Sequence, residues 1–207
     1  MPKLIIFEGP DGVGKSTQAK MLHDVMPGSL LIRQPSDSNV VGFLRSEVKS
    51  NPEHCMFERQ LMHTVSHIVD AYSYFDGVTD VIMDRSPISA MVYGQVLGLS
   101  EYQRIIIERC NFAVYQDRLA EIPYDIRILF FIRPESYKSD KDDLYEQADR
   151  GKSITERYLD LAKHHSSFFA LREHRYLFDL SLSKECNEKV IHESVLAAVE
   201  AEYDGIR

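Results

Sequence analysis

The sequence predicts an α/β fold, a parallel sheet covered by helices on both faces, and three observations carry that expectation. Short apolar runs show no polar alternation, as strands buried on two faces require. Stretches of helical length separate successive runs, the pattern of strand–helix–strand crossovers. The first run, moreover, stops abruptly at a glycine-rich stretch, GPDGVGKST (Gly9–Thr17), which leads straight into a helical pattern.

The first candidate strand is Lys3–Phe7, and Lys15–Met26 carries the chain away from the glycine loop as a helix. Leu30–Arg33 is the second strand. Met56–Phe75 and Ser86–Gly98 read as helices on either side of a third strand, Val81–Met83. Tyr102–Leu119 is a further helix and Ile126–Ile132 the fourth strand. Ile154, Tyr158, Leu161, Phe168 and Leu171 then recur near helical spacing before a last strand at Tyr176–Leu180. Glu135–Lys152 (ESYKSDKDDLYEQADRGK) is strongly charged and nearly devoid of aliphatics. It reads either as a solvated loop or exposed helix, or as a lid over about 134–152 that closes on a charged substrate.

A chain of 207 residues suits one domain spanning 1–207, with no internal repeat or linker. The net charge of −8 argues against a broad grip on a nucleic-acid polymer, although a local basic cluster could serve a small phosphorylated ligand. Cys55, Cys110 and Cys186 are odd in number, far apart and without metal-ligand spacing, which suggests free thiols in a reducing compartment. The N-terminus lacks the apolar length of a signal peptide, and no run approaches the ~18 residues of a membrane span. The expectation is a cytoplasmic protein with no membrane partner.

Gly9 to Ser16 fits G-x-x-x-x-G-K-[ST], placed after a strand and before a helix. Glycines let backbone N–H groups turn inward around phosphate oxygens, and the helix N-terminus adds positive potential. Gly9, Asp11, Gly12, Val13, Gly14, Lys15, Ser16 and Thr17 are therefore candidates for holding ATP or GTP. Lys15 would reach the outer phosphates, and the Ser16 hydroxyl would ligate Mg²⁺. In context this is a P-loop NTPase fold with a five-stranded parallel sheet. The next informative segment is Asp84-Arg85-Ser86-Pro87-Ile88-Ser89, at the carboxyl end of the third strand, where ligands bind on such sheets. Asp84 would face the metal or its waters there, and Arg85 could hold a phosphate bidentately. The plainer reading of such a pair is a surface ion pair or a helix cap.

FEGPDGVGKSTQAKML, the Arg33-Gln34-Pro35 turn and DRSPISAMVYGQ together resemble the thymidylate kinase family, in the same order over most of the chain. The resemblance implies transfer of the ATP γ-phosphate to a deoxynucleoside monophosphate, dTMP first, with Mg²⁺ and usually as a homodimer. By that resemblance Lys15 and Ser16 match the phosphate lysine and the metal hydroxyl, and Asp84 the aspartate near the metal. Asp11 matches a loop aspartate facing the acceptor. Arg85 and Arg45 match arginines near the acceptor phosphate, joined by Arg33 of the turn. Ser89 and Tyr93 fall where the family lines its nucleoside pocket, and Tyr145-Glu146 matches the lid's tyrosine–glutamate pair. This chain also departs from the pattern. Gly12 stands where some members carry a catalytic loop arginine, and Leu144 where others carry a lid arginine. Lys138, Lys141, Arg150 and Lys152 are the available cations. No base-reading arginine stands on the middle helix, where Arg59, Met62, His63, Ser66 and His67 are found instead. His63 is the candidate for the base, with a packed histidine as the alternative.

Deoxynucleoside kinases share the scaffold, and DRS and ITERYLDLAKHHSSFF are similar to their motifs. A sugar hydroxyl wants a carboxylate as general base, whereas a monophosphate oxygen is already anionic and needs positioning and charge neutralisation. Those kinases place the carboxylate beside the proline turn after the second strand, where this chain has Gln34, with Asp37 nearby as a possible substitute. A GTP-driven switch lacks an N-K-x-D-like guanine reader here. A binding-only protein would not require the full set of Asp11, Lys15, Ser16, Asp84 and Arg85.

Overall fold

The computed structural model describes residues 1–51, 53–132, 148–163, 173–180 and 188–201. Five parallel strands, β1 (Lys3–Glu8), β2 (Leu30–Arg33), β3 (Val81–Asp84), β4 (Asp125–Ile132) and β5 (Glu173–Asp179), form one sheet in the order β2-β3-β1-β4-β5. Around it lie α1 (Lys15–Val25), α2 (Asn39–Ser50), α3 (Met56–Tyr74), α4 (Pro87–Val96), α5 (Glu101–Glu121), α6 (Ala148–Lys163) and α7 (Glu188–Glu200).

Strand alternation sorts the apolar side chains into two layers. Leu4, Ile6, Val81, Met83, Ile126, Ile128 and Phe130 face a core shared with residues of α3 to α6. Ile5, Phe7, Ile82, Leu129 and Phe131 face the opposite core, against Ala19 and Leu22 of α1 and Ile191 and Val195 of α7. Each such fully buried side chain contributes about 2 kcal/mol. That is why the runs read as continuous apolar stretches: both faces of the central strands are dry.

The expected strands are all present, with β1, β3 and β4 each one residue longer and β5 spanning Glu173–Asp179 rather than Tyr176–Leu180. The extra residues of β1 and β3 are Glu8 and Asp84, both buried, so the strands continue one step into polar side chains at their carboxyl ends. Helix α6 takes Ile154, Tyr158 and Leu161 into the core as its spacing predicts, while Phe168 and Leu171 lie outside the described residues. Helices α2 and α7 stand where the sequence raised no helical expectation. Helix α2 carries Gly42 and two consecutive valines, poor helix formers whose cost is offset by packing against α3. Ser100 caps α5 by accepting from Gln103 N, while Gln103 returns a bond to the Ser100 N–H.

A buried polar network anchors the chain just after β2. Gln34 Oε1 accepts from His67 Nδ1 at 2.6 Å, and Gln34 Nε2 lies 3.1 Å from the Tyr115 hydroxyl and 3.4 Å from Asp70 Oδ2. Asp70 also accepts from the Ser36 backbone N–H and hydroxyl, at 3.1 and 2.6 Å. Because the carboxylate side takes the amide's N–H, its oxygen faces His67, which must carry its proton on Nδ1. Burial, reinforced by His63, pulls the His67 pKa down to about 3, so the ring stays neutral.

Two predictions follow from this packing. Gly9 has φ +140, and a Cβ there would stand 2.1 Å from the Phe131 carbonyl oxygen. Gly9→Ala should therefore cost about 3 kcal/mol or more, read as a lowered Tm or loss of soluble protein. For His67 the folded pKa of about 3 lies below the unfolded 6.5, so the unfolded chain takes up the proton first and stability falls as pH drops through 6.5. His67→Gln should make the decline in stability between about pH 6.5 and 4 shallower, by roughly 3 kcal/mol over the interval, in denaturant titrations at stepped pH.

Candidate active site

The glycine loop leaves β1 at Glu8 and enters α1 at Gly14, which has φ 92 and supplies no side-chain cap. The first-turn N–H groups of α1 thus have no side-chain acceptor at the cap, which leaves them available to an anion. Val13 turns its side chain into the core below, anchoring the loop. Lys15 is 4% exposed and folds back on the loop, donating to Pro10 O at 2.5 Å with Asp11 Oδ1 3.8 Å away. Burial first, then repulsion from Arg85, lowers its pKa to about 8, against the pull of Asp11 and Asp84. Ser16 and Thr17 are exposed at the loop's mouth. Ser16 Oγ donates to Asp84 Oδ2 at 2.6 Å, joining the head of α1 to the end of β3.

Arg85 follows β3 with φ 76, a left-handed backbone that costs a non-glycine residue about 1 kcal/mol or more. Its N–H donates to Phe7 O at 3.0 Å, fixing the turn against β1. The guanidinium pairs with Asp11 and reaches Ser89 Oγ at 3.2 Å and the hydroxyls of Tyr93 and Tyr158 at 3.4 and 3.5 Å. It also stacks over the Tyr93 ring, 5.4 Å from its centroid. Beneath it lies Glu8, fully buried, whose carboxylate accepts from Ser86 Oγ at 2.5 Å and Ser89 Oγ at 2.8 Å. Burial raises the Glu8 pKa, opposed chiefly by the Ser86 bond and the Arg85 charge. Ser86 also caps α4, accepting from Ile88 N, with Pro87 in the first turn.

A cavity of about 220 Å³ opens beside Arg85, between the β2 turn, α2, α3 and α4. Four basic side chains line it, Arg33, Arg45, Lys49 and Arg85, with Asp11 as the one carboxylate among the described lining residues. Arg45 is oriented by Asp37 Oδ1 at 2.6 Å and Pro35 O at 3.2 Å. Ser89, Tyr93 and His63 line the same space, so the expected acceptor-side residues Asp11, Arg33, Arg45, His63, Arg85, Ser89 and Tyr93 are brought together. Burial, then the charges of Arg45 and Arg59, pulls the His63 pKa to about 4 and keeps that ring neutral.

Other candidates stand elsewhere. Arg59 is buried and donates to the carbonyls of Val48, Asn51 and His54, so it ties α2 to α3 and does not line the cavity. Asp37 is exposed and spent on Arg45. Lys152 is solvent-exposed on α6 with Glu156 3.9 Å away. Lys138, Lys141, Leu144, Tyr145 and Glu146 lie outside the described residues, as does the Arg150 side chain, and with them most of the expected lid. Three residues escaped the sequence reading. Lys49 could have been found four residues beyond Arg45, one helical turn along the same face. Glu8 and Gln60 carried no readable signal, because a lone polar residue beside an apolar run announces neither its burial nor its partner.

Among the described residues no helix is long and apolar enough to cross a membrane. The fold matches those of solved thymidylate kinases from Candida albicans (TM-score 0.69, 18% identity, covering 96% of this chain and 91% of that one) and Ehrlichia chaffeensis (TM-score 0.67, 18% identity, covering 97% and 99%). In sequence, a probable thymidylate kinase of Methanocaldococcus jannaschii is 28% identical over 166 residues, covering 78% of this chain and 82% of the relative. A thymidylate kinase of Campylobacter jejuni is 26% identical over 140 residues, covering 58% and 71%. The family model described as thymidylate kinase matches residues 7–177, a span that holds the glycine loop, the arginine after β3 and the whole basic cavity, and on that ground the chain belongs to the thymidylate kinase family.

Proposed function

We propose that the chain transfers the γ-phosphate of ATP to the 5′-phosphate of a deoxynucleoside monophosphate, dTMP first, giving dTDP and ADP for deoxynucleotide synthesis. The observation that carries this reading is the cavity's charge: four basic side chains against one carboxylate, and that carboxylate already paired with Arg85. Such a lining suits a ligand that arrives negatively charged. It ill suits a neutral sugar hydroxyl, which would need a free base. Gln34, at the place a base would occupy, is held inside the network under the turn.

In the proposed reaction, Arg85 and Arg45 hold the acceptor phosphate, and Asp11 keeps Arg85 aimed across the loop. An acceptor phosphate oxygen attacks the γ-phosphorus in line as the bond to the β-phosphate oxygen breaks. Lys15 and the α1 N-terminus hold the donor phosphates, and no proton has to be removed from the nucleophile. The paired hydroxyl and carboxylate of Ser16 and Asp84 are hard oxygen donors of the kind Mg²⁺ takes. When bound, Mg²⁺ supplies charge neutralisation on the phosphates. Lys138 and Lys141 are proposed to bring the further cation that Gly12 does not provide. A cytoplasmic homodimer is the matching state, by family likeness.

Incubation with ATP, Mg²⁺ and either dTMP or thymidine, with products identified by mass, should give dTDP from dTMP. Thymidine converted to its monophosphate, with dTMP left untouched, would overturn the reading. Arg85→Ala should lower kcat/KM for dTMP by roughly 10²–10³ while leaving the KM for ATP within about threefold. Weakened ATP binding alone would remove Arg85 from the acceptor side.

A further inference from the structure

Tyr158 lies one turn of α6 beyond Ile154 and enters the core at the same spacing, which by itself makes it a packing residue. Its hydroxyl does not fit that description. The side chain is fully buried, and the oxygen ends 2.9 Å from Ser89 Oγ and 3.5 Å from Arg85 Nη1. No other described residue of α6 bonds Arg85. Counting protons fixes the direction of these contacts. The Ser89 hydroxyl has one hydrogen, and it goes to the Glu8 carboxylate at 2.8 Å. Ser89 must therefore accept from its other two neighbours, Arg85 Nη1 at 3.2 Å and the Tyr158 hydroxyl. Burial, then the Glu8 charge, raises the Tyr158 pKa well above its ordinary value, so the phenol keeps the proton it donates. With that proton turned to Ser89, the lone pairs of the phenol oxygen are left for the guanidinium. Arg85 is thus held unequally at its two ends. Nη1 meets uncharged acceptors, Ser89 Oγ, the Tyr158 hydroxyl and the Gly9 carbonyl, at 3.2 to 3.5 Å. Nη2 is paired with Asp11, whose carboxylate is half-exposed. An arriving phosphate can take the place of a solvated carboxylate, while the neutral contacts keep their hold on the far end.

We propose that Tyr158 is a positioning residue for phosphoryl transfer: its hydroxyl, acting through Ser89 and Arg85 Nη1, anchors one end of the guanidinium so that the other end turns to the acceptor phosphate. The assignment deepens the monophosphate reading above and rests on it. It gives α6 a part in the acceptor site although none of that helix's described residues lines the cavity. An unanchored guanidinium would still attract the phosphate by charge. It would meet it in several orientations, however, and in-line transfer needs one.

Tyr158→Phe removes the oxygen and keeps the ring in the core. Steady-state kinetics with ATP and dTMP should show kcat/KM for dTMP about tenfold lower, with the KM for ATP within about twofold of wild type and little change in thermal melting. The deciding measurement is the same change made in an Arg85→Ala background. There Tyr158→Phe should cost no further activity, because the group that the hydroxyl positions is gone. A hydroxyl that serves packing alone would cost the same factor with or without Arg85, and that additive result overturns the proposal. So does Tyr158→Phe protein with wild-type kinetics for dTMP. Ser89→Ala cuts the same link from its other side and carries the test should Tyr158→Phe not fold. It too should lower kcat/KM for dTMP, spare ATP and lose its effect in the Arg85→Ala background, and an effect that persists there overturns the proposal. Wild-type protein that converts thymidine to its monophosphate and leaves dTMP untouched would instead overturn the monophosphate reading itself.

Discussion

The site depends on a carboxylate that no solvent reaches. Glu8 ends β1, and its two oxygens accept hydroxyls from Ser86 and Ser89, on either side of the α4 N-terminus. This interaction locks the strand that launches the glycine loop to the helix that follows β3, with Arg85 caught between them. Burying an ionised carboxylate is expensive, and the raised Glu8 pKa reflects that. The nearby charges of Arg85 and Lys15 offset part of the cost, so the groups that define the anion site also make its foundation tolerable. Ser89 is the relay: it donates to Glu8 and accepts from Arg85, and its position is shared with the Tyr158 hydroxyl 2.9 Å away.

The cations at the site are restrained by local partners. Lys15 bonds a loop carbonyl, Arg85 bonds Asp11, and Arg45 bonds Asp37. An arriving phosphate would exchange these contacts for its own, and the protein does not have to create positive potential from disorganised side chains. Preorganisation of this kind favours the transferring charge, because little of the site must reorient as that charge moves. The left-handed backbone at Arg85 belongs to the same logic. A local strain held by the Phe7 carbonyl places the guanidinium over the loop instead of along the strand.

Much of this was legible in the sequence, and the reasons are physical. Strands β1, β3 and β4 announced themselves because burial on both faces leaves their centres apolar, Arg127 of β4 excepted. The glycine loop was legible because its backbone geometry restricts residue type, above all at Gly9, where any side chain would meet the Phe131 carbonyl. Asp84 and Arg85 followed from their place at a strand's carboxyl end. Helix α2 was not legible, since its stability comes from packing and from the Arg59 tie to α3 rather than from its own residues. Glu8 and Gln34 were opaque in role because each is defined by what it touches, and those partners lie tens of residues away in the chain.

The network around Gln34 bears on how readily this scaffold could change its trade. Installing a proton acceptor there means exchanging an amide for a carboxylate next to Asp70, whose own pKa burial already raises. Two acids would then share a dry space, and Asp70 would face an acceptor where it now meets an N–H. The substitution that would teach the protein to act on hydroxyls is thus penalised by the interior before any substrate arrives. Acceptor chemistry is in this sense written into the scaffold's packing as well as its cavity, and altering it would require rebuilding α3 and α5 together with the turn.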